Sequence, residues 1–185
     1  MRHTWQLPED YTLHSEIDLQ NNKKQFWIVN GISLVILVLV SALGVMICPR
    51  LHFEGWLFPV LWLAGFAAYI LLHELIHGIV IRLISGKWGN FGLTLTYAYA
   101  GSDCYFDRAG YLVIALAPIV LWGLVYAVAA ALVPEEWFWL VWLWQAANLS
   151  GGAGDLYVTW YMLRLDSRIL IRDTGVAMTV YAPEK

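Results

Sequence analysis

Two histidines four residues apart, His73 and His77, enclose a glutamate in the stretch His73-Glu74-Leu75-Ile76-His77. On an α-helix this spacing sets both imidazoles on one face with the carboxylate beside them. Two such imidazoles can share one divalent ion, and the glutamate can act as general base on a water at that ion. The pattern therefore points to metal-assisted hydrolysis, with Zn²⁺ as the cofactor, His73 and His77 as ligands and Glu74 as the catalytic base. A third protein ligand must come from elsewhere in the chain. The setting is apolar: Leu61 to Leu72 precede the motif and Gly78-Ile79-Val80-Ile81 follow it, a run long enough to cross a bilayer. Three ionisable side chains in five residues are costly at that depth unless they bind metal, pair or face water. A chance motif with satisfied core histidines carries less weight for that reason.

The 185 residues are 60% hydrophobic and 14% charged, with a mean hydropathy of +0.61, which is the balance of a membrane protein. The length suits one domain over residues 1–185 and leaves little room for a separate soluble module. A net charge of −3 gives no basic field, so nucleic acid is excluded as a partner. Much of the abundant tryptophan falls near the ends of apolar runs, as an interfacial aromatic belt requires. Cys48 and Cys104 are too few for a disulfide framework and are expected near opposite faces, unbridged.

The elements that must position the motif follow from the apolar runs. Residues 1–25 are polar and do not open like a signal peptide; apolar residues at 11, 13, 17 and 19 suggest a short strand. Four spans are expected, at about 26–47 (a retained anchor), 56–84, 111–132 and 137–165, giving an all-α polytopic membrane fold. Pro118 predicts a kink in the third. Between the second and third, the Thr- and Tyr-rich alternation from Phe91 to Ala100, flanked by turn residues, predicts a small β-hairpin-like insert. The fourth is broken by Asn148-Leu149-Ser150-Gly151-Gly152-Ala153-Gly154-Asp155. Irregular backbone at membrane depth must be buried in protein or line a watery cavity, so a cavity is expected beside Asp155, walled by Gln145, Asn148 and Ser150. The tail, residues 166–185, is polar, with a strand expected around Val176 to Tyr181.

On this arrangement Arg2, Lys23, Lys24, Arg82, Lys87, Arg108, Arg164, Arg168, Arg172 and Lys185 share one side, and Arg50 alone lies on the other. Both termini are then cytoplasmic. His73 lies nine residues before Arg82, and Asp155 nine before Arg164, on segments running in the same direction. At 1.5 Å per residue both sit roughly 13 Å from their basic anchors, so Asp155 is the favoured third ligand. Asp103 and Asp107, in the insert, remain alternatives; His52, Glu54, Glu135 and Glu136 lie on the wrong face, and Asp166 too near the surface. Asp155 could instead cap a helix after Gly154. Asn148 is a candidate catalytic residue, donating to a substrate carbonyl or oxyanion, or it bonds backbone at the break.

Apolar-HELIHG on one span, the hairpin-like insert, the stretch Ala115-Leu116-Ala117-Pro118, and Asn148 followed by Gly-rich sequence ending in Gly154-Asp155 resemble intramembrane zinc metallopeptidases of the site-2 protease type. The pattern is closer still to a zincin peptidase family of small bacterial membrane proteins catalogued under a domain-of-unknown-function heading. The resemblance covers about residues 10–180 and implies an endopeptidase that cuts membrane-embedded or membrane-proximal segments, with His73, His77 and Asp155 on zinc and Glu74 as base. It also implies a bacterial inner-membrane location. Gly154 precedes Asp155, Leu156 follows it, and the proline of the site-2 protease Asn motif is missing. The partners expected are the lipid bilayer and a peptide substrate, and a chain this small is open to forming a homodimer. Two further readings stand beside the peptidase: a non-catalytic zinc-binding membrane scaffold or regulator, and a small carrier built on the helix break. The scaffold predicts a silent Glu74→Gln; against the carrier, no two-halves symmetry is visible.

Overall fold

The computed structural model describes residues 3–18, 21–48, 50, 51, 53, 55–93, 98–175 and 177–184. In chain order the elements are β1 (His3–Thr4), β2 (Tyr11–Ile17), α1 (Lys23–Ile47), α2 (Leu57–Ser85), β3 (Asn90–Leu93), β4 (Ala98–Gly101), β5 (Tyr105–Asp107), α3 (Arg108–Leu132), α4 (Glu135–Gly151), α5 (Ala153–Leu163), β6 (Leu170–Asp173) and β7 (Met178–Pro183). His52, Glu54, Arg2, Lys185, Leu19, Val176 and residues 94–97 of the expected insert lie outside the described residues.

The expected all-α, four-span fold is overturned. Among the described residues α1, α2 and α3 are long and apolar enough to cross a membrane, and they stand beside a five-stranded antiparallel sheet. The run from Trp137 to Leu165 divides at Gly152 into α4 of 17 residues and α5 of 11. At 1.5 Å per residue these are about 25 and about 17 Å long, each short of the roughly 30 Å of hydrocarbon. Their surroundings differ too. Most of α1 is exposed, with Leu34, Val35, Val38 and Leu39 facing outward, whereas α4 buries residues on every side from Phe138 to Trp142 and is the central helix, packed on α1, α2 and α3. Two of its tryptophans are tied into that packing: the indole N–H of Trp142 donates to the Val40 carbonyl at 2.8 Å, and that of Trp144 to the Trp62 carbonyl at 3.2 Å.

Local signals account for the helix ends. Asn22 caps α1 by accepting from the N–H groups of Lys24 and Gln25, Asp107 caps α3 by accepting from Gly110, and α2 ends at Gly86, whose φ of 77° reverses the chain. The helix α3 runs uninterrupted through Pro118.

The sheet has the order β1-β5-β6-β7-β2, so the N-terminal segment, the α2–α3 connection and the C-terminal tail meet at one end of the helices. Its register pairs Phe106 with Ile171, Ile171 with Val180, and Leu13 with Tyr181. Alternation puts Phe106, Ile171, Met178 and Val180 on one buried face, packed on Ile81 of α2, Tyr111 and Ile114 of α3, and Met162 of α5. The expected hairpin is β3–β4, a separate two-stranded sheet, while β5, just after it, joins the larger one. Cys48 and Cys104 are both free thiols.

Candidate metal centre

The apolar stripe of α2 turns inward where Tyr69, His73 and His77 follow one another at four-residue intervals, and all three are buried. Opposite them the last apolar run breaks at Gly152. A Cβ there would fall 2.5 Å from Cδ1 of Ile119, so the missing side chain lets the α4–α5 junction approach α3 closely. The new helix begins at once, and its third residue, Asp155, points its carboxylate at α2. Oδ2 lies 3.3 Å from His73 Nε2, and Oδ1 3.6 Å from His77 Nε2. Asp155 makes no capping bond to the start of α5, although an acid in the first turn also suits the helix dipole.

The donor set fits zinc. The three ligand atoms lie within 4.8 Å of one another. Atoms about 2.0–2.1 Å from a tetrahedral ion stand roughly 3.4 Å apart, close to the two histidine–carboxylate separations. Both imidazoles aim Nε2 at the shared space and hold Nδ1 elsewhere: His77 Nδ1 donates to the Ile114 carbonyl of α3 at 2.8 Å, and His73 Nδ1 lies 2.9 Å from the Tyr69 hydroxyl. The Asp155 side chain is 24% exposed, so the cluster opens toward a cavity rather than being sealed in the core.

That cavity, about 810 Å³, is bounded by α1 (Phe26, Val29, Asn30), α2, the strand β4, α3 and the tail. Glu74 lines it beside the histidines and accepts a hydrogen bond from the Ala100 backbone N–H of β4. The hairpin can lie this near because Gly78, the residue after the motif, leaves room for the Phe91 ring.

Not every expected residue is at the cavity. On the α4–α5 side its wall is Ala147, Gly151, Gly154, Asp155 and Val158, not Gln145, Asn148 and Ser150, which are buried away from it. Asn148 is fully buried, donating from Nδ2 to the Ile119 carbonyl at 3.1 Å, with its oxygens 3.3 and 3.5 Å from the Tyr69 hydroxyl. The alternative ligands have other partners: Asp103 pairs with Arg172, Asp107 caps α3, Asp166 pairs with Arg168, and Glu135 and Glu136 start α4.

Sequence reasoning missed Asp173, at the end of β6. Its carboxylate reaches the cavity, accepting from Tyr111 at 2.5 Å and from the Gly175 N–H at 2.8 Å, and burial raises its pKa above the ordinary carboxylate range. Only the sheet register carries it there, 18 residues beyond Asp155 in a polar tail. Tyr69 was also missed, although its place four residues before His73 was a readable signal.

A family model described as "Putative zincin peptidase" matches residues 65–170, more than half of the chain. Comparison with curated proteins and with solved structures gave no match. The matched segment holds α2 from Gly65 onward, the hairpin, α3, α4 and α5, and therefore all three members of the cluster and Glu74. This chain belongs to that family.

Proposed function

We propose that the protein is a zinc-dependent endopeptidase of the site-2 protease type, which hydrolyses peptide bonds in membrane-embedded or membrane-proximal segments. The observation that carries this reading is the convergence of Asp155 from α5 on His73 and His77 of an apolar, membrane-length helix, in a cavity that Glu74 shares. Zinc held there would polarise the scissile carbonyl and bring the pKa of a coordinated water toward about 7. Glu74, steadied by the Ala100 N–H, takes the proton of the attacking water and returns it to the leaving amine. The substrate must be unwound to present its peptide bond. The cavity-side edge of β4 at Ala98, beyond the Ala100 N–H that Glu74 takes, offers main-chain groups beside which an extended segment can lie as an added strand.

Shared placement of the N-terminal segment, the α2–α3 connection and the tail around one sheet supports the orientation read from the charges. Lys87, Arg108, Arg168 and Arg172 all belong to that end, which faces the cytoplasm of a bacterial inner membrane in this reading.

The test is purified protein reconstituted with a panel of single-span reporter segments, comparing wild type with Glu74→Gln. Cleavage by the wild type alone, with zinc retained in both, is the expected result. Full cleavage by Glu74→Gln would falsify the assignment of the base; a silent substitution together with unfolding of His73→Ala would mark a zinc-stabilised scaffold.

A further inference from the structure

The helix α3 supplies no ligand, yet the hydrogen-bond chains behind both histidines end on it. We propose that α3 sets which nitrogen of each histidine faces the metal, with Pro118, Tyr69 and Asn148 as positioning residues. The inference rests on the zinc reading of His73, His77 and Asp155.

The first chain is a single bond. A carbonyl oxygen only accepts, so His77 Nδ1, 2.8 Å from the Ile114 oxygen, carries the proton, and Nε2 keeps its lone pair for a metal. Inside an α-helix that carbonyl would ordinarily be occupied by the N–H four residues on. Four residues on is Pro118, which has no N–H and whose ring crowds the same carbonyl. The proline thus frees one acceptor, and His77 takes it.

The second chain is longer and has the same logic. The Ile119 oxygen, again only an acceptor, fixes the Asn148 amide with Nδ2 toward α3 and Oδ1 toward Tyr69. The single Tyr69 proton then goes to Asn148, which leaves the Tyr69 oxygen to accept from His73 Nδ1 at 2.9 Å. His73 Nε2 is therefore also the unprotonated nitrogen, and it lies on the Asp155 side. One backbone carbonyl sets the polarity of the whole relay. Asn148 is fully buried and so has no water to substitute for either bond. Hydrogen-bond partners of this kind behind a metal-bound histidine typically contribute 10–100-fold in metal affinity, by orienting the ring and raising its basicity.

The test is the Zn²⁺ dissociation constant of the full chain in detergent, measured by competition with a chromophoric chelator. Wild type is compared with Tyr69→Phe, Pro118→Ala and Asn148→Ala, each checked for folding by circular dichroism before metal is added. Tyr69→Phe keeps the ring and removes the relay, and is expected to weaken Zn²⁺ binding about 10–100-fold. Pro118→Ala restores the competing N–H and is expected to weaken binding in the same direction. A Co²⁺ absorption spectrum altered in both variants would show that the ligand field, and not only folding, has changed. Zn²⁺ affinity within twofold of wild type in folded Tyr69→Phe overturns the relay, and the same result in Pro118→Ala overturns the role of the proline; should Pro118→Ala or Asn148→Ala fail to fold, Tyr69→Phe alone decides. A wild type that binds no Zn²⁺ overturns the zinc reading itself and this inference with it, whereas binding by wild type with unaffected variants removes the inference only.

Discussion

The helices α2 and α5 meet at the candidate centre and are built in opposite ways. The 29 residues of α2 form one continuous rod, and its two histidines owe their mutual placement to helix geometry alone: one turn apart, on one face, whatever surrounds them. The 11 residues of α5 begin at a break, and Asp155 owes its placement to tertiary contact, because Gly152 must lie against Ile119 before the carboxylate can point at α2. A candidate ligand pair can thus be written into a local sequence, whereas the placement of its third member depends on how two helices pack.

The difference can be broken first at the ligands. His77→Ala is expected to take the protein from about one zinc per chain to none, because no single remaining imidazole and carboxylate hold the ion well. Asp155→Ala is expected to lose zinc affinity by more than the 10–100-fold that removal of a ligand's hydrogen-bond partner costs. Elemental analysis of the two purified variants, before and after zinc is added back, checks both. Zinc retained at full occupancy without Asp155 would sever α5 from the centre.

The next prediction concerns the packing that aims α5. Gly152→Ala places a methyl group 2.5 Å from Ile119 Cδ1 and 2.6 Å from Cγ1. The ile side chain can give way in part, so the expected cost is that of a mild overpacking, about 1–3 kcal/mol of stability. Combining it with Ile119→Ala removes both contacting atoms. Thermal unfolding of the single and double variants in detergent should then show a favourable coupling between the two sites. Purely additive losses would mean that the junction is not held by this contact.

The same contrast explains what could be read from the sequence. The histidines, their helix, the break in the last apolar run and the pairing of Asp155 with His73 in depth all follow from spacing along one or two segments. The five-stranded sheet does not. Its strands come from residues 3–4, 11–17, 105–107, 170–173 and 178–183, and each is too short to announce its partners. The patterns of β2 and of the tail were readable one at a time, but the register that sends Asp173 to the cavity exists only once β6 lies between β5 and β7. Apolarity was a poor guide to the last run for a related reason: α4 is apolar because protein surrounds it, and lipid would select the same residues. The relay through Tyr69 and Asn148 was half legible, since the spacing of Tyr69 from His73 is local while Asn148 arrives from another helix.

The smallest effect is expected just beyond the other end of α5. Asp155 precedes most of that helix and is held in a cavity; Asp166 follows its last residue, with its side chain 48% exposed and paired to Arg168 through bonds of 3.0 and 3.1 Å. The Arg168 guanidinium holds the Asp166 carboxyl down to about 2. Because the folded pKa lies below the value of about 3.9 in an unfolded chain, whatever the pair contributes is fully present above about pH 4 and is lost as the pH falls toward 2. Water surrounds both partners and screens them, so Asp166→Asn should leave the melting temperature at neutral pH nearly unchanged, with any difference from wild type vanishing in acid. A large neutral-pH loss in this variant would show that the turn after α5 is a fixed anchor for Asp155. Positioning at the centre would then come from both ends of the helix and not from the Gly152 contact alone.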